Sequence, residues 1–206
     1  MKCCSQLHLR LAARVIAQGG IIAYPTEAVY GLGCDPRDAA AISRLLAMKG
    51  RTAHKGFIVI AAEANQLTGL VCYPNVAIRE RVLAVWPGPV TWVLPAETGL
   101  LTELTGGRGT LAVRVTAHAT ARALCLIAGP LVSTSANLSG HRPARNLLQA
   151  RAQFRGRVDY YVPGDVGDSA GPTEIRDALS GRVLRASVAG EGVGQLTDPP
   201  PPPMFR

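Results

Sequence analysis

Short apolar runs closed by glycine or proline are what most constrain this chain. Ile21-Ile22-Ala23-Tyr24 stops at Pro25, and Phe57-Ile58-Val59-Ile60 starts just after Gly56. Val90 to Leu94 follows the turn Trp86-Pro87-Gly88-Pro89, and Leu111 to Val115 follows Gly106-Gly107-Arg108-Gly109. Runs this short, rich in β-branched residues and bounded by turn formers, read as buried strands. Further short strands are predicted at Leu131-Val132, at Tyr160-Tyr161-Val162, and at 173–177 and 182–185. Helical patterns fall between them. Residues 5–18 predict a helix with Ser5 as its cap, Leu7, Leu11, Val15 and Ile16 near helical spacing, and Gly19-Gly20 as its stop. Asp35-Pro36 predicts a cap followed by proline at the first helical position. That helix turns Ile42, Leu45 and Leu46 inward and ends near Gly50. Others are predicted over 75–85, 118–128 and 144–154. Strands alternating with helices imply a mixed α/β sheet in a single domain, over 1–186. Residues 187–206, with prolines at 199–203, read as a disordered or extended Pro-rich tail.

Composition removes several classes. With 206 residues, 48% hydrophobic and 17% charged, the chain is globular rather than disordered. No apolar run reaches the ~18 residues of a membrane-spanning helix. The start, MKCCSQLHLR, lacks the apolar stretch of a secretion signal. Cys3, Cys4, Cys34, Cys72 and Cys125 are odd in number and scattered, which favours a reducing cytoplasm over a disulfide framework. His8, His54, His118 and His141 have no metal-ligand spacing, so no protein-held metal is expected. Lys and Arg total 22 against 14 Asp and Glu, a net charge of +8 that suits an anionic partner without choosing one.

No standard nucleotide loop is present: Gly31-Leu32-Gly33 is followed by Pro36 where a dinucleotide fingerprint needs its third glycine. Four other segments carry polar groups in telling places. Tyr24 to Gly33 follows a strand and mixes polar with apolar residues; it reads as a ligand-facing loop or as an ordinary strand-to-helix turn. Lys49-Gly50-Arg51, with Lys55-Gly56 after it, lies at a helix C-terminus. There cations complement the helix dipole, and a guanidinium fork with an ammonium also suits a triphosphate. Ser133-Thr134-Ser135-Ala136-Asn137-Leu138-Ser139-Gly140 serves equally as a turn with a helix cap or as a set of donors to phosphate and carboxylate oxygens. Arg114 stands alone in Leu111-Ala112-Val113-Arg114-Val115. By alternation it shares a face with Thr110, Ala112 and Thr116, opposite Val113 and Val115. That face is either solvent or a cleft in which Arg114 anchors a carboxylate. Arg185, after Val183-Leu184, is a similar case.

Taken in order, PTEAVYGLG, KGR, WPGPVT, TLAVRVT, STSANLSG and EIRD resemble the YrdC-domain family of threonylcarbamoyl-AMP synthases, in its short bacterial form. The resemblance runs from about residue 8 to 186. It implies a twisted α/β sheet with flanking helices around a basic concave cavity. It also implies synthesis of threonylcarbamoyl-AMP and diphosphate from L-threonine, hydrogencarbonate and ATP, for the N6-threonylcarbamoyladenosine at position 37 of tRNA. By motif position, Thr26, Arg114, Ser133 and Thr173 are expected to hold threonine, with Arg114 on its carboxylate. Thr173 stands where the family usually has Ser and keeps the hydroxyl. Lys49 and Arg51 are expected to act catalytically on the ATP phosphates, with Lys55 beside them. Thr110, Ser135, Asn137 and Arg185 are expected around the nucleotide. Mg²⁺ is expected to arrive with ATP, held by phosphates and water. The product is expected to pass to a TsaD/TsaB/TsaE-like complex. The family cavity also allows tRNA or double-stranded RNA binding, and an RNA-binding module is the alternative reading. A third is carbamoyl transfer to another acceptor.

Overall fold

The computed structural model describes residues 4–169 and 171–187. In chain order it comprises α1 (Gln6–Ala17), β1 (Ile22–Pro25), β2 (Tyr30–Gly33), α2 (Ala39–Lys49), β3 (Ile58–Ala61), α3 (Val76–Leu83), β4 (Val90–Pro95), the single turn α4 (Thr102–Thr105), β5 (Thr110–Val115), α5 (Ala119–Ala128), β6 (Leu131–Ser135), α6 (Leu147–Phe154), β7 (Tyr160–Tyr161), β8 (Glu174–Asp177) and β9 (Val183–Arg185). The strands form one sheet in the order β7-β1-β2-β6-β3-β5-β4-β8-β9. It is mixed: β1–β7, β3–β5 and β4–β8 run parallel and the other neighbours antiparallel. This is the single mixed α/β sheet with flanking helices that the sequence implies.

Alternation along the strands feeds two apolar layers. Ile21, Ala23, Val59, Val113 and Val132 pack with Ile42 and Leu45 of α2 and Phe154 of α6. Ile22, Tyr24, Ile60 and Leu131 point the other way, under Leu9, Ala12 and Ile16 of α1 and Leu124 and Cys125 of α5. Each fully buried Leu or Ile contributes roughly 1.5–3 kcal/mol. On this second face α1 and α5 cover one end only. Ile60 and Leu131 lie beneath them, but Ile58 and Ser133, two positions along the same strands and on the same face, open into a cavity. The uncovered half of that face is where a ligand has room.

Local differences from the sequence reading have physical causes. Ser5 occupies the α1 cap position, but its side chain makes no capping bond. The α2 cap is Asp38, accepting from the Ala41 N–H at 2.9 Å, rather than Asp35. Asp35-Pro36 forms a preceding turn, in which the Asp35 carboxylate accepts from the Arg37 N–H. α2 does end at Gly50, whose φ of +59° suits a residue without a side chain. Helix α6 starts later than predicted because Asn146 caps it, and α3, capped by Asn75, ends at Leu83 rather than at 85. β1 does end at Pro25, but Pro25 itself still pairs with Tyr30, so part of the expected loop is a hairpin ending in β2. β6 runs on past Val132 to Ser135. No helix among the described residues is long and apolar enough to cross a membrane. The proline run lies outside the described residues.

Candidate functional site

The cavity has a volume of about 780 Å³ and is walled by β2, β3, β5, β6, the turn after β1, and the segment entering β8. Thr26, Arg51, Lys55, Thr110, Arg114, Ser133, Ser135, Thr173 and Arg185 all line it. The strand alternation places several of them: Thr110, Ala112 and Arg114 share one face of β5, while Val113 and Val115 enter the core. Gly31 lines the cavity between Thr26 and Ser133. A Cβ there would lie 3.1 Å from the Thr26 methyl and 3.5 Å from Ser133 Oγ, so glycine preserves the space.

Arg114 is the deepest charge, its side chain 6% exposed. Its Nη2 donates to Glu27 Oε2 at 3.0 Å, and its Nη1 to Thr173 Oγ1 at 2.7 Å and Thr91 Oγ1 at 3.4 Å. The Thr116 hydroxyl donates to Glu27 Oε1 at 2.6 Å, which fixes the second carboxylate oxygen. A buried guanidinium needs such a partner, because desolvation of an unpaired charge costs several kcal/mol or more. Arg114 Nε has no protein partner among the described residues. The turn carrying Glu27 is pinned in turn: Thr26 Oγ1 donates to the Val29 carbonyl at 2.7 Å, and the Glu27 carbonyl accepts from the Ser169 N–H at 3.1 Å.

Across the cavity, Arg51 donates to the Gly56 carbonyl at 2.8 Å and lies over the Phe57 ring at 5.4 Å. Burial lowers its pKa. Lys55 is exposed beside it. Arg108, also in the wall, donates to the His54 carbonyl at 2.6 Å. Arg185 grips the Thr173 carbonyl, and burial first, then the charge of Arg114, lowers its pKa. Arg142 and Arg145 also line it, and among the described residues no carboxylate side chain does.

Lys49 and Asn137 are not in the wall. The Lys49 ammonium is buried behind the 133–139 loop and donates to the Ser135 and Asn137 carbonyls. Burial, and secondarily Arg51, lower its pKa to about 8. Asn137 accepts from Ser135 Oγ at 2.6 Å and donates to the Leu138 and His141 carbonyls. Both side chains shape the loop that presents Ser133 and Ser135. The sequence reading gave no role to Glu27, Thr91, Arg108, Arg142 or Arg145. Glu27 and Thr91 belong to the quoted PTEAVYGLG and WPGPVT stretches, and a carboxylate beside a candidate threonine site was the available signal. The three arginines sit in polar loops with no local pattern to mark them. Among the described residues no group of three or more His, Cys, Asp or Glu is placed to hold a metal.

An α/β sheet with one face half covered, and a cavity lined by hydroxyls and cations at its open half, defines a small-ligand protein of a recognisable type. The Sua5/YciO/YrdC family model, described as telomere recombination, matches residues 14–187, and the chain belongs to that family. It is 54% identical over 178 residues to a protein of Halorhodospira halophila named threonylcarbamoyl-AMP synthase, covering 86% of this chain and 93% of that protein. The crystal structure of P. abyssi Sua5 complexed with L-threonine superposes with a TM-score of 0.77 at 32% identity, over 82% of this chain. The chain spans 50% of that longer Sua5 chain. E. coli YciO superposes with a TM-score of 0.78 at 25% identity, covering 90% of this chain and 92% of that one.

Proposed function

We propose that the chain is a threonylcarbamoyl-AMP synthase, converting L-threonine, hydrogencarbonate and ATP to threonylcarbamoyl-AMP, diphosphate and water. The observation that carries this reading is Arg114, a guanidinium buried on every side but the cavity and braced by Glu27 and Thr173. Such a group is built to receive a carboxylate. The cavity's size suits an amino acid together with a nucleotide.

In this reading threonine lies at the Arg114 end, among Thr26, Ser133 and Thr173. The ammonium of the bound zwitterion passes a proton to hydrogencarbonate, which breaks down to water and carbon dioxide; the neutral amine then attacks carbon dioxide, forming the N–C bond of a carbamate and releasing its second proton to solvent. A carbamate oxygen then attacks the α-phosphate of ATP, and diphosphate leaves with the electron pair of the broken P–O bond. No protein nucleophile takes part; the chain contributes positioning and charge stabilisation. Arg51, Lys55 and Arg108 face the phosphates, and Thr110, Ser135 and Arg185 surround the nucleotide. Lys49 and Asn137 act by holding the loop that carries Ser135. With no carboxylate in the wall among the described residues, Mg²⁺ brought by ATP would take its ligands from phosphate and water. The product serves N6-threonylcarbamoyladenosine formation on tRNA, through a TsaD/TsaB/TsaE-like complex in the cytoplasm.

The test is incubation of the purified chain with ATP, L-threonine, Mg²⁺ and labelled hydrogencarbonate. A labelled adenylate that depends on threonine, with matching diphosphate release, is expected. Absence of nucleotide binding would overturn the reading.

A further inference from the structure

The cavity's cations are not alike. Arg51, Arg108 and Arg185 spend their hydrogen bonds on backbone carbonyls, which bring no formal charge. Among the described residues, Arg114 is the one lining cation that forms an ion pair, and its partner Glu27 stands behind the wall rather than in it. Glu27 is 8% exposed and is held at both carboxylate oxygens, by Arg114 and by Thr116. The Arg114 charge is therefore offset by Glu27, and the one cation beside it without a carboxylate is Arg185 on the Thr173 carbonyl, whereas Arg51, Lys55 and Arg108 leave the other end positive. A site of that kind treats ligands differently by charge distribution. A simple anion gains at the cationic end and gains little at Arg114, where the Glu27 field opposes it. A zwitterion gains at the Arg114 end twice, its carboxylate on the guanidinium and its ammonium in the Glu27 field.

We propose that Glu27 is a specificity-determining residue: by offsetting the Arg114 charge it makes this end of the cavity select a zwitterionic amino acid over a simple carboxylate or phosphate. The inference rests on threonine as the substrate. It also favours the phosphates of ATP at the other end, since an anion without an ammonium gains less beside the Glu27–Arg114 pair than beside cations bound only to carbonyls.

The test is calorimetric titration of the full chain and of Glu27→Gln with two ligands, L-threonine and 3-hydroxybutyrate. The second keeps the carboxylate and the hydroxyl-bearing carbon of threonine and lacks the amine. Gln retains an oxygen for Arg114 and an amide N–H that the Thr116 hydroxyl can accept, so the variant removes charge and little else. The wild type is expected to prefer threonine. In Glu27→Gln the ratio of the two affinities is expected to fall by about tenfold or more, as charges a few ångströms apart imply at an effective dielectric of about 20. A residue that only braces the fold would weaken both ligands together, so an unchanged ratio overturns the proposal. The wild-type arm needs no variant to fold: equal binding of the two ligands by the native chain overturns it as well. Failure of the native chain to bind threonine at all would instead overturn the proposed function, and this inference with it.

Discussion

At the residue scale, two buried cations are accommodated in different ways, one by a carboxylate and one by backbone carbonyls. Arg114 is paired with Glu27 at 3.0 Å, and its removal has two consequences. Arg114→Met is expected to weaken threonine binding by about 2–5 kcal/mol, the cost of leaving a bound carboxylate unpaired. Binding of a non-hydrolysable ATP analogue should change far less, and parallel titrations with both ligands measure the split. The same variant strands Glu27, and urea denaturation should register a loss of about 3–5 kcal/mol. Lys49 meets its burial differently, with a pKa lowered from 10.5 to about 8. Between those values the unfolded chain binds more protons than the folded one, so stability rises with pH across that window. Relative to Lys49→Met, the wild type should therefore gain stability from pH 8 to pH 10, and denaturation at the two pH values checks it. A difference independent of pH would mean that Lys49 is not desolvated.

At the element scale, the ends of α5 and β5 form one polar junction. His118 caps α5 by accepting from the Ala121 N–H through Nδ1 at 3.3 Å, which leaves the proton on Nε2 to donate to the Asp165 carbonyl at 3.1 Å. Burial lowers its pKa below the usual 6.5. Protonation of Nδ1 would place a proton against the Ala121 N–H, and the unfolded chain takes up that proton more readily. Stability from this junction is complete above pH 6.5 and lost as pH falls below it. Asn at this position caps a helix without titrating. The melting-temperature advantage of the wild type over His118→Asn should therefore shrink between pH 7.5 and pH 5, and an advantage constant over that range would discard the junction.

Much of this architecture was legible in the chain. Apolar runs located β1, β3, β4 and β5 because buried strands need continuous apolar residues, and alternation oriented Arg114 correctly because the pleat has period two. β2 was missed because Tyr30-Gly31-Leu32-Gly33 has two glycines and looks like a turn; it is a strand because the glycines face a crowded sheet and a cavity. Asp38 was passed over for Asp35 because a proline drew the helix start three residues too early. The Glu27–Arg114 pair joins residues 87 positions apart, and no local pattern reports such a contact. Lys49 reads as a phosphate ligand from sequence because the chain cannot show that it lies behind a distant loop, with two of its three N–H donors on that loop's carbonyls.

At the scale of the whole molecule, the site is a sheet face rimmed by loops, with Arg114 and Ser133 on strands and most of the other cations on the rim. The described wall closes at Arg185, on the last strand. A chain ending at Ser187 is expected to keep the adenylate-forming activity and the melting temperature of the full protein. A loss of activity at unchanged melting temperature would show that residues beyond 187 take part in the reaction. Counterion screening is expected to act unequally as well: raising salt should weaken the ATP analogue more than threonine, because the nucleotide meets unpaired cations and the amino acid meets a neutral pair.

The placement of Thr173 has a consequence in time. Arg114 on β5 reaches past Thr91 of β4 to the hydroxyl just ahead of β8, the next strand in space but one of the last to be synthesised. A chain emerging from the ribosome has its central strands long before it has that hydroxyl. Until residues 173–177 dock beside β4, the guanidinium has a carboxylate partner and no completed cradle. The cradle around Arg114 is thus one of the last parts of the site that synthesis completes.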